Sequence, residues 1–130
     1  MSDPRDLSGV WYGRYAATTR SETNSFIAQI EDREGALSGV ISEPDTTGYA
    51  EIRRALVSGR CDGSSIRFVK QYQGPALVHA VLYAGTVNED ATEISGQWVI
   101  VRSTGSFVMQ REKFAAEELA DEREVEEELR

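Results

Sequence analysis

Several residue types that mark common protein classes are scarce in this 130-residue chain. Cys61 is the one cysteine, so no intrachain disulfide can form, and this favours a reducing compartment. No apolar run reaches the roughly 20 residues that a membrane-spanning helix needs. The N-terminal residues lack the basic start and the apolar run of a secretory signal. We therefore expect a cytoplasmic protein without membrane association, built around a single globular domain.

The chain has few basic side chains for its acidic content. The formal net charge is −8, and eight acidic and two basic side chains place −6 of it in residues 115–130. The rest of the chain is close to neutral and has no basic stripe. Because contacts with phosphate supply most of the affinity for nucleic acids, we expect no nucleic-acid partner. The same charge balance disfavours anionic membrane surfaces.

Sequence signatures of catalysis and of metal binding are missing as well. His79 is the only histidine, and together with Cys61 it supplies too few ligands for a metal site. The serines lack the glycine elbow that surrounds a nucleophilic serine. Paired carboxylates such as Glu31 and Asp32 fall in candidate turns, where they are most simply solvated. We therefore expect no catalytic residue, no metal and no cofactor.

What the chain has in abundance is turn chemistry at short intervals. Candidate turns separate segments rich in β-branched and aromatic residues, which is the composition typical of strands. The turns are residues 20–24, 31–35, 43–48, 61–64, 73–75, 88–91 and 103–105, and they delimit eight segments. Apolar and polar residues alternate in several segments, as around Phe26, Ala28 and Ile30, which indicates one buried and one exposed face.

Short connections between successive strands predict an antiparallel meander over residues 1–113. Glycine lets a strand bend at a barrel corner, and closure removes exposed strand edges. Glycines recur inside the segments at Gly13, Gly39, Gly59, Gly85 and Gly96. We therefore predict an all-β fold, an eight-stranded up-and-down barrel in which residues near 10–16 pair with residues near 106–111.

Residues 114–130 differ abruptly from the rest of the chain. They contain no glycine or proline and consist largely of strong helix formers, with apolar residues that form only a ragged stripe. We expect an acidic, helical tail that lies in solvent and does not contribute to the barrel core. The alternative is a helix that docks on the barrel or pairs with a partner.

The order of short motifs over residues 7–112 resembles that of the calycin superfamily, which includes the lipocalins. Within this superfamily, the order and spacing of the motifs are most similar to those of avidin and streptavidin. Gly9-Val10-Trp11-Tyr12 is similar to their opening Gly-X-Trp-Tyr strand. Gly35-Ala36-Leu37-Ser38-Gly39 is similar to their Gly-X-Leu-Thr-Gly hairpin. Val57-Ser58-Gly59-Arg60, Tyr83-Ala84-Gly85 and Gln97-Trp98 follow in the same order. The resemblance implies a barrel with a cavity open at one end.

The resemblance does not extend to the residues that bind biotin. The avidin asparagine that contacts the ureido oxygen is Gly13 here, and a tyrosine and a serine of the next hairpin become Ile41 and Glu43. One lining tryptophan is replaced by Tyr83, whereas Trp98 matches well. A site built from buried hydrogen-bond partners loses affinity heavily without them, so we expect a ligand other than biotin.

The resemblance also implies a role for two residues at the closed base of the barrel. In calycin barrels the tryptophan of the Gly-X-Trp motif packs across the base, and a basic residue of the last strand often lies over its ring. Trp11 and Arg111 match these positions. A cation–π contact of this kind contributes about 0.5–2 kcal/mol, and we expect both residues to be structural.

Strand alternation indicates where a ligand would bind. It puts Phe68, Lys70 and Tyr72 on one face of their strand. If that face is interior, Lys70 enters an aromatic-lined cup and can bind an acidic headgroup. The alternative places Lys70 at the rim, with its ammonium in water. The candidate ligand-binding residues are Phe68, Lys70, Tyr83, Trp98, His79 and Tyr15.

These features leave three functional hypotheses. The first is a non-catalytic binding protein that holds a small apolar or aromatic molecule in the barrel, as a monomer or a homo-oligomer. The second is a filled barrel that acts as a protein–protein interaction module. The third is a cup-shaped enzyme that uses Lys70, His79 or Tyr72, or a barrel that binds haem through His79.

Overall fold

A computed structural model describes residues 6–19, 23–44, 52–73 and 80–111. Eight strands make up this part of the chain. They are β1 (Gly9–Ala17), β2 (Asn24–Arg33), β3 (Ala36–Pro44), β4 (Ile52–Asp62), β5 (Ser65–Tyr72), β6 (Ala80–Val87), β7 (Glu93–Ile100) and β8 (Ser103–Gln110). The described residues include no helix long and apolar enough to traverse a lipid bilayer.

The strands form one closed barrel in which each strand pairs with its neighbours in sequence. All pairings are antiparallel, and the barrel closes between β1 and β8. Their register runs from Tyr12 opposite Gln110 to Ala17 opposite Gly105. The predicted eight-stranded meander, closing first strand on last, is confirmed.

Alternation of side chains decides which face of each strand is buried. In β5, Ile66, Phe68 and Lys70 are buried, whereas the residues between them are exposed. Successive side chains of a strand point to opposite faces, so these three side chains share the interior. The interior position of Lys70 settles the choice between a buried and a rim lysine in favour of burial.

Two hairpins show how local sequence sets the connections. Glu34 and Gly35 form the β2–β3 turn with positive φ values of 55° and 94°, and such a two-residue turn matches the twist of the flanking strands. The turn that we predicted at residues 103–105 is instead formed by Val101 and Arg102. Ser103 already begins β8, because turn-forming residues can also pair in a strand when the register continues through them.

The base of the barrel is the end at which the β2–β3, β4–β5 and β6–β7 turns lie. Trp11 is completely buried there, and its indole Nε1 donates a hydrogen bond to the Leu7 carbonyl at 2.8 Å. The Arg111 guanidinium lies 4.6 Å from the centre of the Trp11 ring. The same guanidinium donates to the carbonyls of Asp6, Ser8 and Ala91 at 2.6, 2.8 and 2.9 Å.

These contacts make the Trp11–Arg111 pair a plug for the base. Burial lowers the pKa of Arg111 from its ordinary value, while Asp6 and Asp32 oppose that change. The three backbone carbonyls give the guanidinium its hydrogen-bond acceptors. The cation–π contact predicted for the base is therefore present. The acidic segment 114–130 lies outside the described residues, so its predicted helix stays a prediction.

Candidate functional site

Aromatic rings fill the middle of the barrel. Phe68 stacks on Tyr83 with ring centres 4.7 Å apart and planes 8° from parallel. Phe107 meets the edge of Tyr83 at 5.0 Å, and such edge contacts add to the stability gained by burial. Below these rings an enclosed cavity of about 10 Å³ remains, which is at the lower limit for one water molecule. Phe68 and Tyr83 are thus packed against neighbouring side chains.

Charged and phenolic side chains gather above this aromatic layer, at the end of the barrel opposite the base. We call this end the mouth and the group the mouth cluster, which comprises Tyr15, Glu43, Arg53, Lys70 and Tyr72. The side chains of Glu43 and Lys70 are each 1% exposed. Charged residues are almost never buried so completely without partners. The mouth cluster is therefore the chemically distinctive part of the interior.

Glu43 is the central acceptor of the mouth cluster. One of its oxygens, Oε1, accepts a short hydrogen bond from the Tyr72 hydroxyl. The same oxygen forms an ion pair with Nη2 of Arg53, 3.1 Å away. The other, Oε2, lies 3.5 Å from the Lys70 ammonium. Glu43 and Arg53 are direct partners in the β3–β4 register, so backbone pairing brings this carboxylate and guanidinium together.

The Lys70 ammonium lies among three tyrosine rings. Its Nζ is 4.6 Å from the ring centre of Tyr15, 4.7 Å from that of Tyr72 and 5.3 Å from that of Tyr83. The negative faces of aromatic rings attract a cation. Burial nevertheless lowers the pKa of Lys70 to about 8, although the nearby Glu43 carboxylate acts in the opposite direction.

Burial also changes the ionisation of the three phenols. It raises the pKa of Tyr15, Tyr72 and Tyr83 above the ordinary value, and the negative charge of Glu43 adds to the rise for each. A phenol that stays protonated remains a hydrogen-bond donor. Near neutral pH the mouth cluster therefore offers neutral tyrosine hydroxyls beside the basic side chains of Lys70 and Arg53.

Hydrogen-bond donors in the mouth cluster are more numerous than acceptors. The Nε atom of Arg53 is buried and has no hydrogen-bond partner within the described part of the chain. An ammonium can donate three hydrogen bonds and a guanidinium five, whereas the Glu43 carboxylate already receives three of the contacts described above. An unpaired buried donor costs stability. A hydrogen-bond acceptor placed beside Nε of Arg53 would therefore stabilise the cluster.

Trp98 and Tyr15 complete the mouth. Trp98 is 7% exposed, and its indole Nε1 donates to the Ala16 carbonyl at 3.2 Å. Its ring meets Tyr15 edge-on, with centres 6.1 Å apart. A Cβ on Gly105 would lie 2.6 Å from the Trp98 ring, so glycine at that position allows the indole to pack flat against β8.

The structure brings together Tyr15, Lys70, Tyr83 and Trp98 from the predicted site, with Phe68 in the layer beneath. His79 lies outside the described residues, so the histidine-based hypotheses stay predictions. In the described ranges, no group of three histidine, cysteine or acidic side chains is arranged to hold a metal ion.

The positions that bind biotin in avidins have other surroundings here. A Cβ on Gly13 would lie 2.1 Å from the Phe26 ring, because that ring fills the space beneath the glycine. Ile41 is buried in the core. Glu43 is committed to Arg53, Lys70 and Tyr72. No ureido partner is present at these three positions.

Sequence reasoning missed Glu43 and Arg53 as members of the site. Residues 43–48 read as a turn, whereas Glu43 lies within β3 and points inward. Two signals were available in the sequence. The avidin resemblance put Glu43 at a lining position, and strand parity puts Arg53 on the same face as the buried Ala55 and Val57.

Comparison with solved structures supports the fold alone. The chain is similar to a redesigned β-barrel, with a TM-score of 0.69 and 15% sequence identity. The match covers 82% of this chain and 92% of the designed one. A scan of protein-family models and a search of curated proteins give no match. The chain is thus an eight-stranded antiparallel barrel, and the comparisons give no information about its site.

Proposed function

We propose that this protein is a non-catalytic binding protein whose ligand sits at the mouth of the barrel. The observation that carries the proposal is the buried Nε of Arg53, which has no acceptor among the described residues. A ligand acceptor at this position would remove the cost of an unpaired donor. The packed aromatic rings in the middle of the barrel support a site at the mouth cluster rather than one deep inside.

The chemistry of the mouth favours a small, flat, apolar or aromatic molecule with an acidic end. Arg53 and Lys70 supply positive charge, and a guanidinium pairs well with a carboxylate. Trp98 and Tyr15 offer aromatic surface beside these charges. Their arrangement suits a molecule whose ring lies on the aromatic side chains while its carboxylate meets Arg53.

The same proposal includes a calycin-like ancestry and a cytoplasmic location. The closed eight-stranded meander and the Trp11–Arg111 contact support the first. The single cysteine supports the second. Biotin is not the proposed ligand, because Phe26 fills the space at Gly13 and Glu43 is already paired.

Native mass spectrometry of the purified full chain, followed by titration with a panel of aromatic carboxylic acids and biotin, tests the proposal. Quenching of tryptophan fluorescence reports binding, because Trp98 borders the site. We expect an aromatic acid to bind and biotin not to bind. In Arg53→Met the affinity for that acid should fall at least tenfold.

Arg54→Met is the matched control, since Arg54 is the next residue but points outward and is exposed. It should bind the same acid as the unmodified chain does. Equal loss in both variants, or no binding by any acid of the panel and no co-purified molecule, would contradict the proposal.

A second candidate is an interaction module that works through its outer surface. The packing of Phe68, Tyr83 and Phe107 favours it, because a filled barrel leaves its exterior for recognition. Co-purification of a protein rather than a small molecule in the same native spectra would select this function.

A further inference from the structure

We propose that the C-terminal segment, residues 112–130, docks as a helix on the outer wall formed by β1, β2, β3 and β4. This contact lies on the opposite side of the sheet from the mouth cluster and does not depend on the proposed ligand. We call the receiving surface the β1–β4 wall. It consists of Tyr12, Arg14, Ser25, Ile27, Ser42, Ile52 and Arg54, and Gln110 of β8 lies at its edge.

The β1–β4 wall exposes large apolar side chains. Tyr12 is 62% exposed, Ile27 46% and Ile52 56%. Tyr12 and Ile27 are direct cross-strand partners, so their side chains form one continuous apolar strip. Exposed apolar surface that is continuous in this way is typical of an interaction site.

The wall also contains a depression. Its volume is about 540 Å³, and Tyr12, Ile27 and Ile52 are among its lining residues. Ser42 lies between Ile27 and Arg54 across the sheet, and Ser25 lies opposite Arg14; both have short side chains. Short residues among larger ones provide a groove into which the ridge of a helix can pack.

Positive charge accompanies this apolar strip. Arg14 is paired with Ser25 across β1 and β2, and Arg54 with Ser42 across β3 and β4. Both arginines are exposed. Residues 115–130 have a net charge of −6, so this face and the segment are electrostatically complementary.

Position in the chain makes the segment the nearest available occupant. Gln110 at the end of β8 lies directly opposite Tyr12 in β1. The 19 residues that follow Arg111 would span about 28 Å as a helix. The wall from β1 to β4 is roughly 14 Å wide, at about 4.8 Å per strand. The segment is long enough to cover it.

The helical period gives the segment a matching face. At 3.6 residues per turn, Phe114, Leu119, Val125 and Leu129 fall within an arc of roughly 140°. Glu118, Glu122 and Glu126 fall within the same arc. A face that mixes apolar and acidic residues suits a wall that mixes apolar residues and arginines.

Charge argues against a second copy of the barrel as the occupant. Two β1–β4 walls placed face to face would bring Arg14 and Arg54 of both copies together, and like charges disfavour such a contact. The opposite wall presents Val69, Leu82 and Val99 in one register, and the exposed Arg67 and Arg60 pair beside them. The Arg67→Glu variant described below distinguishes docking on that wall from docking on the β1–β4 wall.

Paramagnetic NMR on the full chain tests the docking. A nitroxide label at Ala120→Cys, in a Cys61→Ser background, would broaden the signals of nearby amides. We expect loss of the amide signals of Tyr12, Ile27 and Ile52, with those of Val69, Leu82 and Val99 retained. Adding Arg14→Glu and Arg54→Glu should restore the lost signals, whereas Arg67→Glu on β5 should not.

A second measurement avoids the cysteine substitution. In the otherwise unmodified chain, Arg14→Glu with Arg54→Glu should shift the amide signals of residues 114–130 towards random-coil values. Absence of selective broadening together with unchanged signals for the segment would overturn the proposal. Broadening that disappears on dilution with unlabelled chain would overturn it in favour of contact between copies.

Discussion

The base and the mouth of this barrel are built on the same eight strands but bury different chemistry. At the base, apolar side chains surround Trp11, and the Arg111 guanidinium donates to three backbone carbonyls and packs on the indole. At the mouth, Glu43 and Lys70 are buried together, and the Nε donor of Arg53 has no partner among the residues that the structure describes.

This difference distinguishes the residues at the base, which stabilise the fold, from those at the mouth, which form the proposed site. Burial of apolar surface stabilises the base directly, and each guanidinium nitrogen of Arg111 donates to a backbone carbonyl. A buried ion pair stabilises little, because desolvation offsets the attraction between the charges. The charge arrangement at the mouth therefore contributes little to stability, and this supports the binding site proposed there.

The largest expected effect on stability comes from a substitution at the base of the barrel. Trp11→Ala should lower the free energy of unfolding by about 5 kcal/mol, at the upper end for such substitutions, because the hydrogen bond to Leu7 and the Arg111 contact are lost with the ring. Denaturant unfolding measures the change. Val10→Ala, at the adjacent exposed position, is the control and should change it by less than about 1 kcal/mol. Similar losses in both would refute the plug.

The second prediction distinguishes the contribution of the Glu43–Lys70 ion pair to stability from that of burying these side chains. Glu43→Leu should lower the free energy of unfolding by about 3–4 kcal/mol, since it leaves Lys70 buried without its carboxylate. Adding Lys70→Met should recover part of that loss, because the unpaired ammonium is removed, whereas Arg53 and Tyr72 stay without the carboxylate that they contact. A double-mutant cycle by denaturant unfolding gives the coupling. Additive losses would mean that the pair is not coupled.

The Lys70 pKa predicts a smaller, pH-dependent effect. The folded-state pKa of about 8 lies below the ordinary value of 10.5, so the unfolded chain binds more protons between these values. Stability should therefore rise with pH above 8, by about 1–2 kcal/mol at pH 9.5. Above about pH 10 it should fall, as tyrosines ionise in the unfolded chain before the buried ones do.

Urea unfolding at pH 7, 8 and 9.5 measures this rise, with Lys70→Met as the control. The control lacks the titrating amine, so its stability should stay level or fall slightly over the same range. A rise of equal size in Lys70→Met would assign the effect to another group.

The smallest expected effect sharpens the contrast between the two cations. Arg111→Lys keeps the charge but removes the planar fork that reaches three carbonyls, so the free energy of unfolding should fall by about 1–2 kcal/mol. Arg102→Lys, in the exposed β7–β8 turn, provides the comparison and should be nearly neutral. If both substitutions are neutral, the carbonyl contacts of Arg111 contribute no measurable stability.

The fold was predictable from the sequence because local signals agreed with one another. Turn residues at short intervals and alternating apolar positions, as in Phe26, Ala28 and Ile30, specify strands and their buried faces. The turn between β7 and β8 was misplaced because Ser103, Thr104 and Gly105 suit a turn by composition. The register with β7 and with β1 keeps them in a strand, and register is a property of distant pairing.

The candidate site was less predictable. Parity placed Lys70 inside with Phe68, yet its partner Glu43 is 27 residues away in the chain. The β3–β4 register pairs Glu43 with Arg53, whereas Lys70 lies opposite Val57 and its side chain reaches Glu43 across the interior. Whether the interior is open or filled depends on how Phe68, Tyr83 and Phe107 pack, which side-chain periodicity does not contain.

The position of Lys70 has a practical consequence for measuring how often the barrel opens. Lys70 and Lys113 are the only lysines of the chain, and Lys70 is 1% exposed. An acylating reagent can reach its amine only when the mouth separates, because the closed barrel buries it. The rate at which Lys70 is acylated, with Lys113 as the internal reference, therefore measures how often the barrel opens.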